Sequence, residues 1–343
     1  MAHLMHLPPE VLLSACCPPT HRSMLELAIG LSDTLRLHPG NRHLVEWANR
    51  TRTRVDISLC SGRPMPKIRP ELVVCLALVD TIPENLLHLR NLHMLNVVFP
   101  LASLHVPEPR NLSSFCPPTV ESLTLILVPV VLDWLPEGCT SLSLTRCGKI
   151  NVKGVLGSRL KALRLDNCNV GNDGLARILS GCPGLASLQL PNNGALRLPF
   201  AFSTSMPPLR SLDILCCHDS SAPQEVGPIV AAFPRLEELA LHLGGDCSAL
   251  VRLQESLRRL CVRISDESTA AELAARVLPS LSSLQRLDVV VPRQREIDVA
   301  EQRFRGLAPC VVVRCCGDGR DMASRGVLNV GCVLDGLGLV LEK

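Results

Sequence analysis

The chain has no tyrosine, and only two tryptophans and six phenylalanines among its 343 residues. Aromatic rings are the platforms on which single-stranded nucleic acid stacks, so that class of ligand is not expected. The core must instead be aliphatic, mostly leucine and valine. A charge excess is missing as well. Lys and Arg number 35 and Asp and Glu 32, leaving +3, far from the basic face of a nucleic-acid binder. No apolar run is long enough to span a bilayer: the strongest, Leu123 to Leu135, is interrupted by Pro129 and Asp133. An export signal is not expected either. Leu13-Ser14-Ala15-Cys16 matches the box before a lipidated bacterial cysteine, but no Lys or Arg precedes it, and Pro8, Pro9 and Glu10 break the apolar region. Without a signal, the glycosylation patterns at Asn49 and Asn111 carry little meaning.

Catalytic signatures are equally scarce. The chain has no Walker loop, dinucleotide fingerprint, His-Glu-x-x-His helix or Gly-x-Ser-x-Gly elbow. Arg314-Cys315-Cys316-Gly317-Asp318-Gly319-Arg320 is too short for a phosphate-cradling cysteine loop and reads as a turn after a terminal strand. Cys216-Cys217-His218 lacks the spacing of zinc ligands. The ten histidines are scattered. No catalytic residue, metal or cofactor is therefore expected.

Cysteine is plentiful. There are 17, an odd number, with no Cys-x-x-Cys among them. In a chain of this length they read as buried, reduced thiols of a cytoplasmic or nuclear protein, not as a disulfide scaffold.

The strongest positive signal is a repeated phrase: an aliphatic residue, two variable residues, a leucine, one variable residue, another aliphatic. Clean copies are Leu160-Lys-Ala-Leu163-Arg-Leu165, Leu185-Ala-Ser-Leu188-Gln-Leu190 and Leu236-Glu-Glu-Leu239-Ala-Leu241. The opening positions fall at Leu92, Val120, Cys139, Leu160, Leu185, Leu209, Leu236, Leu257 and Leu284. A period of roughly 20 to 30 residues marks a solenoid, in which each coil buries its apolar face by stacking on its neighbours. Val55 to Leu59, Leu72 to Leu78 and Cys310 to Val312 read as further strands at the ends.

Within each phrase the two aliphatics share one face of a short strand and the residue between them points the other way. Stacked in parallel, these strands form a sheet whose in-between residues line a concave surface. Thr124 and Ser143 fall there, followed by Arg164, Asp166, Gln189, Asp213, Glu238, His242, Arg259, Arg263, Arg286 and Asp288. The last ten are the predicted contacts for a protein partner of mixed charge. An ordinary solvated sheet is the alternative.

The stretch from Leu163 to Leu190 resembles the cysteine-containing class of leucine-rich repeats. Leu163-Arg-Leu165-Asp-Asn-Cys168 is strand and turn, and Asp173 is placed to cap a helix with Leu175, Ile178 and Leu179 on its apolar side. Gly181 and Pro183 end that helix. Cys147, Cys168, Asn193 and Cys217 stand three residues beyond the last strand aliphatic, where such repeats turn a small side chain inward. The resemblance implies an α/β leucine-rich-repeat solenoid with parallel strands on its concave face.

Before the repeats, Leu7-Pro8-Pro9-Glu10-Val11-Leu12 suits a helix entry. Further helices are predicted from Ser23 to Leu31 and from Asn41 to about Arg50. The opening phrase resembles an F-box, although Leu27-Ala-Ile29-Gly-Leu31 replaces the family's tryptophan-containing middle. An F-box followed by such repeats resembles the F-box/leucine-rich-repeat substrate receptors of cullin-based ubiquitin ligases. That resemblance implies a Skp-type adaptor held by Leu7, Pro8, Glu10, Val11 and Leu12, a cullin beyond it, and a protein substrate in the groove. The alternatives are an N-terminal cap in place of the F-box, and a repeat scaffold or inhibitor unrelated to ubiquitin. The expected division is 1–54 for the module or cap, 55–313 for the solenoid and 314–343 for a C-terminal cap or tail.

Overall fold

A computed structural model of the chain describes residues 35–37, 42–52, 54–59, 65–79, 82–83, 86–99, 109–148, 151–152, 159–168, 170, 172–191, 193, 207–215, 225–264, 266–291 and 296–315. The predicted adaptor contacts Leu7, Pro8, Glu10, Val11 and Leu12 lie outside these residues, as do the segment Ser23 to Leu31, Cys216 to His218 and the tail from Cys316.

In chain order the strands are β1 (Leu35–Leu37), β2 (Val55–Leu59), β3 (Val73–Val79), β4 (Met94–Val98), β5 (Arg110–Asn111), β6 (Ser122–Ile126), β7 (Val130–Leu132) and β8 (Ser141–Thr145). They continue as β9 (Asn151–Val152), β10 (Ala162–Asp166), β11 (Ser187–Gln189), β12 (Ser211–Asp213), β13 (Glu238–Leu243), β14 (Arg259–Ile264), β15 (Arg286–Val291) and β16 (Cys310–Cys315). Thirteen of them form one sheet in the order β1-β2-β3-β4-β6-β8-β10-β11-β12-β13-β14-β15-β16. Every pairing is parallel, from Leu35 opposite Val55 at one end to Leu287 opposite Val311 at the other. β5, β7 and β9, which follow β4, β6 and β8 in the chain, form a second parallel sheet.

The repeated leucines make the register. Leu95, Leu123, Leu142, Leu163, Leu188, Leu212, Leu239, Leu260 and Leu287 are successive partners across the sheet. Each is buried. Burying one such side chain contributes about 1.5–3 kcal/mol, so the aliphatic column is the principal force holding coil to coil.

The end of each strand is shaped by a sharp bend. Leu127, Arg146 and Asn167 adopt left-handed backbone with φ of 60°, 52° and 51°. That conformation costs a non-glycine residue roughly 1–2 kcal/mol. Hydrogen bonds to the next coil offset it: Leu127 N–H donates to Thr145 O at 2.8 Å, Arg146 to Asp166 O at 2.8 Å and Asn167 to Pro191 O at 3.1 Å. The following residue then points inward. Cys147 Sγ donates to Leu125 O and Cys168 Sγ to Leu144 O, both at 3.3 Å. Asn193 Nδ2 donates to Leu165 O at 2.5 Å and to Pro191 O at 3.2 Å, while its Oδ1 accepts from Cys168 N–H at 3.0 Å. Three coils are thus tied to the coil before them by one side chain at an equivalent position.

Return segments carry α1 (Arg42–Thr51), α2 (Asn172–Gly181), α3 (Val226–Ala232), α4 (Glu267–Glu272) and α5 (Ile297–Phe304). Short 3-10 turns, such as Leu112–Ser114, serve elsewhere. In α2, Leu175, Ile178 and Leu179 are buried, as their spacing requires. Asp173, predicted as its cap, falls within the first turn of α2, which begins at Asn172. Asp266 is a true cap: its carboxylate accepts from Thr269 N–H at 2.7 Å and from the Ser268 and Thr269 hydroxyls.

The sheet extends beyond the expected limits of 55 and 313. β1 precedes α1, so Leu35-Arg36-Leu37 belongs to the sheet although no opening aliphatic phrase announces it. At the other end Arg314 stands in β16, opposite Val290, and not in a turn. α1 is the helix predicted from Asn41. Its Val45 and Ala48 are buried, and Asn49 ties it to the following segment by donating to Lys67 O at 2.9 Å and accepting from Arg69 N–H at 2.8 Å.

Candidate protein-interaction face

The side chains between the leucines occupy the opposite face of the sheet. Parallel register brings them into rows. One row runs Asn96, Thr124, Ser143, Arg164, Gln189, Asp213, Ala240, Cys261, Asp288 and Val312. The row before it runs Ser122, Ser141, Ala162, Ser187, Ser211, Glu238, Arg259 and Arg286, ending at Cys310. Small side chains, mostly hydroxyls, stand on β6 and β8, and beyond them charge enters the first row at β10 and the second at β13.

Two clusters gather most of the predicted residues. In the first, Arg164 donates through Nη1 to Gln189 Oε1 at 2.8 Å and through Nη2 to Asp166 Oδ2 at 2.7 Å. Asp213 stands beside Gln189 and accepts from Leu215 N–H at 3.0 Å. Burial pushes its carboxyl above the usual carboxylate range, although the Leu215 N–H and the charges of Arg164 and Arg259 pull the other way. Arg164, Gln189, Asp213, Glu238, Arg259 and Cys261 border a hollow of about 250 Å³. Ser211 Oγ donates to Glu238 Oε2 at 3.1 Å on its rim.

The second cluster is built on Asp288. Arg286 donates to it twice, Nε to Oδ2 at 2.7 Å and Nη2 to Oδ1 at 2.9 Å. Arg314 Nη2 reaches Oδ1 at 3.3 Å, and Arg259 Nε lies 3.5 Å from Oδ2. The Asp288 side chain is 4% exposed, whereas those of Arg259, Arg286 and Arg314 are 49%, 37% and 54% exposed. Burial works against the Asp288 carboxylate, but the Arg286 hydrogen bonds and the three guanidinium charges hold its pKa below the ordinary value.

Three residues predicted to line an exposed surface are buried. Asp288 lies beneath its arginines, and His242 and Arg263, register partners, are each 5% exposed. Arg263 sits between His242 and the buried Val290 in register across β13, β14 and β15. Both His242 and Arg263 are engaged by partners. Arg314 and Cys261 join the face without having been among its predicted contacts. Arg314 was obscured by the glycine-rich stretch after it, Cys261 by its lack of charge.

The nine cysteines with described side chains are free thiols, and six of them are buried. Burial raises Cys261 to about 12, helped by the charges of Asp288 and Asp213. It raises Cys116 to about 12 and Cys139, Cys182 and Cys247 to about 11. Such thiols stay protonated and are poor nucleophiles at neutral pH. Among the described residues no group of three or more His, Cys, Asp or Glu could hold a metal, and no helix is long and apolar enough to cross a membrane.

Residues 159–183, which enclose β10 and α2, match the family model described as Leucine Rich Repeat. No curated protein matches the chain significantly.

Proposed function

We propose that the chain is a repeat-built docking protein that holds a protein partner on the open face of its large sheet. The observation that carries this reading is the parallel register of thirteen strands, which aligns the side chains of the open face in rows, polar over most of β6 to β15. At a strand spacing of about 4.8 Å and a rise of about 3.3 Å per residue, the face measures roughly 60 by 16 Å. Its area of about 1,000 Å² is comparable to the ~800 Å² that each partner contributes to a standard protein interface. The Leucine Rich Repeat match favours the same use. To test it, co-purification is compared between wild type and Arg164→Glu, Gln189→Arg on this face, with Arg177→Glu on α2 as the control. Loss of captured protein in the first two alone is expected; equal capture by all refutes the reading.

The finer reading is a substrate receptor of a cullin-based ubiquitin ligase. Leu7, Pro8, Glu10, Val11 and Leu12 would hold a Skp-type adaptor while the face holds the substrate, and the receptor would carry out no bond chemistry itself. Its support is the F-box-like phrase and its position ahead of the repeats. The test is recovery of adaptor and cullin with the full chain, lost when Leu7 and Val11 become Asp. A correctly folded chain that recovers neither is a stand-alone repeat scaffold.

A further inference from the structure

The face does not carry its charge evenly, and the unevenness around Asp288 has the chemistry of an anion receptor. Three arginines share one buried carboxylate, which leaves the cluster with two positive charges in excess. A guanidinium has five N–H donors and a carboxylate about four acceptor positions. Asp288 therefore cannot satisfy its three partners. Arg286 spends its Nε–Nη2 edge on Asp288, Arg259 approaches through Nε and Arg314 through Nη2. The Nη1 groups of all three have no partner among the described residues. Each Nη1 is a charged donor free to take up a further carboxylate oxygen, and the guanidinium groups are already held in place by Asp288.

The arrangement also sets the shape of the anion. Asp288 occupies the point where the arginines converge and repels a single compact dianion placed there. Anionic groups must bind around it, separately. Arg259 and Arg314 reach different oxygens of one carboxylate at 3.5 and 3.3 Å. Their contacting nitrogens are thus at most roughly 9 Å apart, a limit that admits the ~7 Å between side chains i and i+2 of an extended peptide and excludes much wider spacings. The surroundings limit the acidic run: Glu238 stands next to Arg259, and Ala240, Cys261 and Val312 are uncharged. A long polyanion would meet Glu238; a short acidic pair would not.

We infer that the β14–β16 end of the open face binds an extended protein segment carrying two carboxylates two residues apart, one held by Arg259 and the other by Arg314, with Arg286 between them. This deepens the docking reading and rests on it.

The probes are fluorescein-labelled Gly-Ser peptides containing Glu-Ser-Glu, the matched Gln-Ser-Gln, or one phosphoserine, titrated with the full-length chain and read by anisotropy. The Glu pair should bind at least about tenfold tighter than the Gln pair and weaken as salt rises. Arg259→Gln with Arg314→Gln should abolish the preference while Arg286 still holds Asp288, with the fold checked by circular dichroism. Asp288→Asn should strengthen binding of the Glu pair several-fold, because it removes the competing carboxylate. Equal binding of Glu and Gln peptides, tighter binding of the phosphoserine peptide, or an unchanged preference in the double arginine variant each overturns the inference. If the preference fails while Arg164→Glu still abolishes capture of a protein partner, the acidic segment alone is wrong. If both fail, the docking reading falls with it.

Discussion

Replacing Asn193 by alanine tests whether the inward side chains at the bends tie the coils together. Asn193 is 6% exposed and serves three backbone groups: it donates to Leu165 O and Pro191 O and accepts from Cys168 N–H. Pro191 O retains the Asn167 N–H, so it is not orphaned. The Leu165 carbonyl and the Cys168 N–H lose their side-chain partner inside the bend. A buried polar group left unsatisfied costs about 1–3 kcal/mol, so the expected destabilisation is roughly 2–6 kcal/mol. Cys168→Ala removes only weak thiol donations and should cost less, about 1–2 kcal/mol including the small void. Asn193→Cys should recover part of the loss, because a thiol at this position donates to the preceding coil in Cys147 and Cys168. Urea unfolding followed by circular dichroism gives the totals. Hydrogen exchange at Cys168 N–H reports the local opening even if a long repeat array does not unfold in one step. An Asn193→Ala variant within about 0.5 kcal/mol of wild type, with Cys168 N–H still protected, refutes the tie.

Asp213→Asn should stabilise the fold at pH 7. The folded carboxyl titrates above its unfolded value, so ionising it penalises the native state once the pH exceeds the unfolded pKa. The advantage of the variant over wild type should shrink as the pH falls to that unfolded value, and parallel urea melts between pH 3 and 7 check this. Asp266→Ala removes the cap of α4 and should cost about 0.5–2 kcal/mol in the same assay. Brief iodoacetamide treatment at pH 7.5 should modify the exposed Cys310 before Cys116, Cys139, Cys182 and Cys247, as peptide mass spectrometry would show.

Much of the fold is legible in the sequence because its unit is local. Leu-x-Leu fixes which way a strand faces within three residues, and recurrence of the phrase implies stacking; β4 through β15 of the large sheet fall where the phrase places them. β1 is not legible, since Leu35-Arg-Leu37 has no phrase around it and becomes a strand only because β2 offers an edge. The small sheet is likewise a product of stacking: Arg110–Asn111 and Asn151–Val152 are too short to show any periodicity. The face was readable as a set of positions but not as an electrostatic object. Asp288 and Arg314 are 26 residues apart, and only the pairing of β15 with β16 makes them partners. The burial of His242 and Arg263 depends on neighbours from adjacent coils, which a pattern within one coil does not contain.

The order of strands in the large sheet is the order of the chain itself, with β5, β7 and β9 set aside in their own sheet. During synthesis, each new main-sheet strand leaves the ribosome next to a template that has already been made. It never waits for a distant segment to close a long loop, the step that slows the folding of sheets built from far-separated strands. Assembly can advance one coil at a time from the N-terminal side, and each finished strand is then the template for the one that follows it.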